Sequence, residues 1–341
     1  MDETSKQTGP LRLVIPSAWK MITIAGLALS LPLPAVSEPL ELQAKIPLGS
    51  VNGRIDHMAF DPMRKRLLIA ELGNNSVGVV DLKENKAIHR IDGLAEPQGV
   101  GYAPTTDTVY VANAHDGSVR VFRGGDYTPA GRMELGSDAD NIRLDVATNR
   151  VLIGYGDGAL AAIDVAQARK VTDFRLPAHP ESFQIGRDGN QIFVNVPTVH
   201  AIMVLDAADG KKKSKWALPE GGNFPMAIDP SNGRVLVVSR SPPKLKAYGD
   251  ADGALIASVD TCGDSDDVFV DPRRPRVYVS CGAGFIDVFD VRGATYDRVA
   301  HIKTVAGART SLLVSELEVF LLAVRATTTE EAAVWVYKPW P

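Results

Sequence analysis

The feature of this sequence that most constrains its fold is a repeat of about 42 residues. Seven apolar runs rich in β-branched residues recur along the chain, each shortly after a segment that ends in an acidic or turn residue. These end residues are 41 to 44 positions apart and are Asp61, Ala103, Asp145, Gly186, Asp229, Asp271 and Ser315. The runs that follow them are 67–70, 109–112, 151–154, 192–195, 235–238, 277–280 and 319–322. Units of one length indicate a repeat architecture in which each unit packs on its neighbours.

Each repeat contains the pattern of four strands. In the first copy, the run is followed by the turn residues 74–76, a third strand at 77–81 and a fourth at 87–91. Helical spacing is missing, which argues against a solenoid of helix pairs. Four antiparallel strands at this period are typical of a propeller blade, whose two faces are both covered by adjacent blades. The sequence therefore predicts an all-β, seven-bladed β-propeller over residues 38–341.

The two ends of the propeller segment complement each other. The last repeat supplies strands near 312–314, 319–322 and 334–337 but lacks a fourth, whereas residues 40–48 resemble a spare strand just before the first copy. An unclosed ring would expose unpaired strand edges. We therefore predict that the N-terminal strand completes the last blade.

The N-terminus has the order of a secretory signal. Lys6, Arg12 and Lys20 precede the apolar stretch 21–31, which leads through two prolines to Ala35-Val36-Ser37. This order predicts a signal peptide over residues 1–37, cleaved after Ser37, and a periplasmic or secreted protein. A membrane anchor is the rival interpretation, but it needs about 20 uninterrupted apolar residues. We therefore expect no stable membrane insertion after cleavage.

The charge of the chain gives no general attraction to nucleic acid. The formal net charge is −4, and the longest basic run that we find is 211–213. That run follows Asp209-Gly210, a turn signal, and so reads as a solvated hairpin tip. We expect no binding to phosphate backbones.

A family resemblance rests on the second repeat. The segment Val109-Tyr110-Val111-Ala112-Asn113 resembles the Tyr-Val-Thr-Asn signature, and the mature chain is similar to YVTN-repeat, YncE-like propellers. The resemblance implies the fold, while such propellers serve as binding proteins, surface-layer components and enzyme domains. The signature asparagine is present only at Asn113; elsewhere it is replaced by Glu71, Tyr155, Val196, Ser239, Cys281 and Ala323.

Candidate site residues lie where the innermost strand of each blade begins, because these positions converge near one end of the central channel. The polar residues there are Arg54, Asp56, His57, Gln98, Asp140, Asn141, Glu181, Asn223, Asp266, Asp267 and Arg309. Phe224 and Pro225 interrupt this belt, and His179 lies just outside it. The belt predicts a polar axial pocket for a small molecule or a protein partner. The alternative is that a wet channel mouth tolerates any polar side chain.

Part of this belt has the chemistry of a metal site. The candidate ligands are Asp56, His57, Asp140, Glu181 and Asp266. Carboxylate oxygens suit calcium or magnesium, and an added imidazole permits zinc or manganese. A cation on the propeller axis would polarise a substrate oxygen. Two functions therefore stay open, a ligand-binding or scaffold protein and a metal-dependent hydrolase, lactonase or lyase.

The chain has two cysteines, Cys262 and Cys281. They fall toward the same end of the sixth repeat, and an exported protein meets an oxidising compartment. We therefore predict a disulfide between them, the alternative being two buried thiols.

Overall fold

The structure is a computed structural model that describes residues 9–10 and 38–341. The predicted signal peptide, apart from residues 9 and 10, and its cleavage site lie outside the described residues. No helix in the described part of the chain has the length and apolar character needed to cross a membrane.

Residues 38–341 form seven four-stranded antiparallel sheets, which are the predicted seven blades. The N-terminal strand is β1 (Leu40–Pro47). Blades one to three are β2 (Met58–Asp61), β3 (Arg66–Glu71), β4 (Ser76–Asp81) and β5 (Lys86–Ile91); β6 (Pro97–Ala103), β7 (Thr108–Asn113), β8 (Ser118–Arg123) and β9 (Pro129–Glu134); β10 (Ala139–Asp145), β11 (Arg150–Tyr155), β12 (Ala159–Asp164) and β13 (Arg169–Arg175).

Blades four to seven continue in the same order. They are β14 (Phe183–Ile185), β15 (Gln191–Val196), β16 (Ala201–Asp206) and β17 (Lys212–Ala217); β18 (Asn223–Asp229), β19 (Arg234–Arg240), β20 (Pro243–Gly249) and β21 (Leu255–Asp260); β22 (Ser265–Val270), β23 (Arg276–Cys281), β24 (Phe285–Arg292) and β25 (Thr295–Lys303); β26 (Ser311–Val314), β27 (Val319–Val324) and β28 (Ala333–Pro339). Two short 3-10 helices, Leu72–Asn74 and Pro197–Val199, lie between strands.

The ring closes through its N-terminal strand, as the sequence predicts. The seventh sheet has the order β1-β28-β27-β26, and β1 runs antiparallel to β28. Leu40 pairs with Pro339 and Ile46 with Val334, and both Leu40 and Ile46 are fully buried. The closure leaves the last blade with four strands and no missing outer partner, which removes the open edge.

The hydrophobic core lies between blades rather than inside any one of them. The second strand of each blade is buried on both faces, as in Leu67, Leu68 and Ile69 of β3, none of which is exposed. One cluster joins Tyr110 of the second blade to Ile153 of the third. This double coverage explains why these runs are continuously apolar instead of alternating.

The acidic end residues of the inner strands have a structural role. Asp61 Oδ1 accepts hydrogen bonds from the backbone N–H of Met63, at 2.8 Å, and of Arg64, at 3.2 Å. Asp271 accepts one from Arg273 N–H at 2.8 Å. An Asp side chain that binds the backbone two residues ahead stabilises a tight turn. The repeat is thus visible in the sequence partly because the turns select this residue.

The structure contains a disulfide between Cys262 and Cys281, whose Cα atoms are 5.8 Å apart. It joins the segment before β22 to the end of β23, and both residues are buried. The bond therefore links the first two strands of the sixth blade at the end of the channel where the inner strands begin.

Candidate functional site

The inner strands surround a small polar cavity at the end of the channel where they begin, and we call this cavity the mouth. Its volume is about 220 Å³. All seven blades contribute to its lining, which consists of Arg54, Asp56, His57, Gln98, Asp138, Asp140, His179, Glu181, Phe224, Arg240, Asp266 and Arg309. Residues up to 255 positions apart in the sequence therefore meet in one site.

Eight of the eleven residues predicted from the sequence line the mouth, and three do not. Asn141 donates from Nδ2 to Asp140 Oδ2 at 3.4 Å, behind the cavity wall. Asn223 donates to Asn195 Oδ1 at 2.9 Å and so links two blades. Asp267 faces the next cavity along the channel. These three side chains lie outside the mouth because neighbouring residues at the start of a strand point in different directions, and their role in ligand binding stays a prediction.

Four of the lining residues are outside the predicted set. His179 and Phe224 lie at positions that the repeat identifies, so the repeat itself is the signal that could have found them. Arg240 was missed because it ends the second strand, β19, and reaches the mouth from there. Asp138 was missed because it precedes β10 in a turn with a left-handed backbone, φ 43°.

Irregular strand pairing turns several of these side chains toward the axis. The register between first and second strands shifts at Pro97/Gly99, Ala139/Ile142, Asn223/Met226 and Ser265/Asp267. Gln98, Asp140, Phe224 and Asp266 lie inside these shifts. A bulge re-aims a side chain and is frequent next to functional sites.

One half of the mouth is held together by arginines, and we call it the paired half. Asp266 binds Arg309 Nε at 3.0 Å through Oδ2 and binds Arg240 through Oδ1. Arg309 Nη1 also lies 2.6 Å from Asp264 Oδ1, and Arg240 stacks over the Phe224 ring at 3.7 Å. Charges in this half are compensated inside the protein, which favours a rigid rim.

Asp56 also belongs to the paired half. Its Oδ2 lies 2.7 Å from Arg54 Nη2, an ion pair without hydrogen-bond geometry, and the carboxylate is almost fully buried. Burial raises the pKa of Asp56, and His57 and Arg54 act against this rise.

In the other half of the mouth, no carboxylate forms an ion pair with an arginine of residues 38–341, and we call it the acidic half. It contains Asp138, Asp140 and Glu181 together with His57 and His179. His57 Nε2 is 3.8 Å from Asp140 Oδ1, beyond hydrogen-bond distance, and His179 Nδ1 is 3.6 Å from Asp138 Oδ2. Asp140 Oδ1 is buried and has no hydrogen-bond partner among the described residues.

The electrostatics of the acidic half favour neutralisation. Burial raises the pKa of Asp140 well above its usual range, and the charges of Asp56 and Glu181 raise it further. Burial also raises the pKa of Glu181 and lowers that of His57. A buried, ionised carboxylate without a neighbouring cation is unfavourable, so binding of a proton or a cation would lower the free energy of this half.

The five predicted metal ligands all line the mouth, but they divide between its two halves. Asp56 and Asp266 are occupied by arginines, which leaves Asp140, Glu181 and His57. Over residues 38–341, no group of three or more His, Cys, Asp or Glu side chains is already arranged to hold a metal ion.

Comparisons with known proteins identify the fold and no family. No known protein family matches the sequence, and no curated protein is similar to it at a significant level. Among solved structures, the chain is similar to one from the "Crystal Structure of Mitotic Checkpoint Complex", with a TM-score of 0.74 over 97% of this chain and 98% of that one. The two sequences are 12% identical. This similarity establishes the seven-bladed propeller architecture and nothing about the chemistry of the mouth.

Proposed function

We propose that this chain is an exported, YVTN-type propeller that binds a small ligand in the mouth, and that the ligand presents a positively charged or hydrogen-bond-donating group to the acidic half. The observation that carries the proposal is the buried Asp140 Oδ1, which has no hydrogen-bond partner among the described residues, beside Glu181, which forms no ion pair with them. A buried acceptor without a donor costs about 1 to 3 kcal/mol. A ligand N–H or ammonium group would recover that cost.

The size of the mouth limits what enters it. A cavity of about 220 Å³ is below the usual volume of a drug-sized ligand site. It suits one polar group, such as a primary amine, more than a whole large molecule. A protein partner can supply the same group as the ammonium end of a lysine side chain. Propeller folds commonly mediate protein–protein interactions, which is compatible with such a partner.

Calorimetric titration with the diamine putrescine tests the binding proposal. We expect saturable binding to the wild-type protein that weakens at least tenfold in Asp140→Ala and in Glu181→Ala. Asp297→Ala is the matched control, because Asp297 is exposed on the outer strand β25 and remote from the channel. Equal affinity in all four proteins would contradict the proposal.

A metal-dependent hydrolase, lactonase or lyase is the alternative proposal, and it uses the same acidic half. Asp140 and Glu181 supply oxygen ligands and His57 a nitrogen, a set that suits calcium, magnesium or zinc. The same titration with each cation separates the two. A cation that binds in wild type and not in Asp140→Ala would favour the metal over the amine.

Export and family membership rest on the sequence features described above. The charged, then apolar, then Ala-Val-Ser order of residues 1–37 supports export, and the segment 109–113 supports YVTN-type ancestry. Intact mass of the protein recovered from a bacterial periplasm is the test of export. We expect a chain that begins at Glu38; a chain that retains residues 1–37 would contradict it.

A further inference from the structure

Below the mouth, the channel continues as a second and larger cavity, which we call the chamber. Its volume is about 480 Å³, within the usual range of small-molecule sites. Its wall is mainly apolar and includes Met58, Tyr102, Leu144, Ile228, Phe269 and Leu312, which come from six different blades. Several of these side chains are only half-buried although they face the interior of the ring.

The polar groups of the chamber are few, and most already have partners. Gln184 Nε2 donates to Met226 O at 3.0 Å. Asp267 Oδ2 accepts a hydrogen bond from Ser311 N–H at 2.7 Å, and Ser311 Oγ is bonded to Ser280 Oγ at 2.7 Å. These polar side chains are therefore hydrogen-bonded within the protein itself.

Two side chains differ: His57, which also lines the mouth and has its Nε2 3.8 Å from the nearest oxygens of Asp56 and Asp140, and Arg143. Its guanidinium has five N–H donors, and two are used, one on Ile142 O at 2.8 Å and one on Ser182 Oγ at 3.5 Å. Among the described residues, no carboxylate oxygen lies within the 4.0 Å of an ion pair with Arg143, unlike Arg54, Arg240 and Arg309 of the mouth.

The charge on Arg143 is poorly compensated by its surroundings. Asp267 and Asp140 are the acidic groups that act on it, and burial raises the pKa of both carboxyls well above their usual range. Both carboxyls act on the guanidinium from beyond ion-pair distance, so among the described residues no carboxylate pairs directly with its charge.

From this arrangement we infer that the chamber is a second binding site, for a small amphipathic carboxylate whose acid group pairs with Arg143 and whose apolar part lies along the channel wall. A guanidinium binds a carboxylate through two parallel hydrogen bonds. The half-buried apolar side chains gain further burial when an apolar tail covers them. This inference goes beyond the proposed function, because it concerns a different cavity and a ligand of opposite charge.

The ligand would enter from the face opposite to the mouth. The chamber shares Phe60, Tyr102, Leu144 and Leu312 with a pocket of about 290 Å³ that also includes Pro62 and Pro104. These two prolines follow the inner strands β2 and β6. A ligand that enters at this end with its acid group leading reaches Arg143 at the inner end of its path.

Titration calorimetry with sodium octanoate tests the inference. We expect saturable binding to the wild-type protein, and binding at least tenfold weaker in Arg143→Gln. Arg175→Gln is the matched control, because the Arg175 side chain is 78% exposed on the outer strand β13. We expect this variant to bind octanoate as wild type does.

A second measurement needs no variant. 1-Octanol has the same chain without the negative charge, so wild-type protein should bind it at least tenfold more weakly than octanoate. Equal binding of the two, or equal binding of octanoate to wild type and Arg143→Gln, would overturn the inference, as would no saturable binding of octanoate in the millimolar range. Because putrescine binding is measured separately, failure of the chamber site leaves the mouth proposal unaffected.

Discussion

Both halves of the mouth contain carboxylates, but their charge stabilises the fold in the paired half and destabilises it in the acidic half. In the paired half, Asp266 is held by Arg240 and Arg309, so its charge stabilises the fold. In the acidic half, Asp140 is buried and forms no ion pair with an arginine of the described residues, so its charge destabilises the fold. Carboxylates at equivalent positions of different blades thus differ because of residues that the repeat does not specify. Pairing, more than residue type, therefore separates the rigid rim from the candidate binding surface.

The largest expected effect concerns β1, the strand that closes the ring and so holds both halves of the mouth together. Ile46 of β1 is fully buried against the last and first blades, and Arg309 belongs to the blade that β1 completes. Ile46→Ala should lower the free energy of unfolding by about 2 to 5 kcal/mol, the usual range for deleting a buried Ile side chain. Leu42→Ala in the same strand is the control, since Leu42 is 40% exposed and should cost far less. Urea denaturation would measure both; equal effects would contradict the closure argument.

The next effect concerns the paired half. Asp266→Asn removes the charge that compensates two guanidinium groups while keeping the side-chain shape. Losing one partner of a buried ion pair costs about 3 to 5 kcal/mol. We expect about 2 kcal/mol here, because Asp264 still binds Arg309. Thermal and urea denaturation at neutral pH would measure it, and an increase in stability would remove the distinction between the halves.

The acidic half should respond with the opposite sign. Asp140→Asn removes a buried charge that has no cation, so the free energy of unfolding should rise by roughly 1 kcal/mol at pH 7. The pKa of Asp140 is raised in the folded state, so the wild-type protein loses stability as the pH rises above the ordinary value of 3.8. The gain from the substitution should therefore shrink as the pH falls toward 4. A gain that is the same at pH 4 and pH 7 would show that charge is not its cause.

The smallest expected effect is at Glu181. Burial raises its pKa in the same direction, but its side chain is only half-buried. Glu181→Gln should therefore stabilise the protein at pH 7 by a few tenths of a kcal/mol, less than Asp140→Asn. Denaturation of both variants in parallel checks this order. A larger gain in stability from Glu181→Gln would show that Glu181, and not Asp140, is the main source of destabilisation in the acidic half.

The repeat made much of the site predictable. Because corresponding residues of seven blades must meet around one axis, counting back from the strand ends found Asp56, Asp140, Glu181 and Asp266 in one cavity. The same counting also selected Asn141 and Asp267, which do not line the mouth, since it fixes the position along the axis and not the direction in which each side chain points. Local register shifts decide that direction, and no residue type in the sequence marks them.

The number of blades, the four strands of each and the closing strand are predictable from the amino-acid sequence, because strand period, turn residues and apolar runs are local properties of the chain. Which carboxylates pair with arginines is defined by the folded ring and cannot be read from the sequence. Arg240 reaches Asp266 from the second strand of the neighbouring blade, and Arg143 lines the chamber without an ion pair among the described residues. Such pairings join residues far apart in the chain, and their energies depend on distance and burial, which become defined only when the ring has closed.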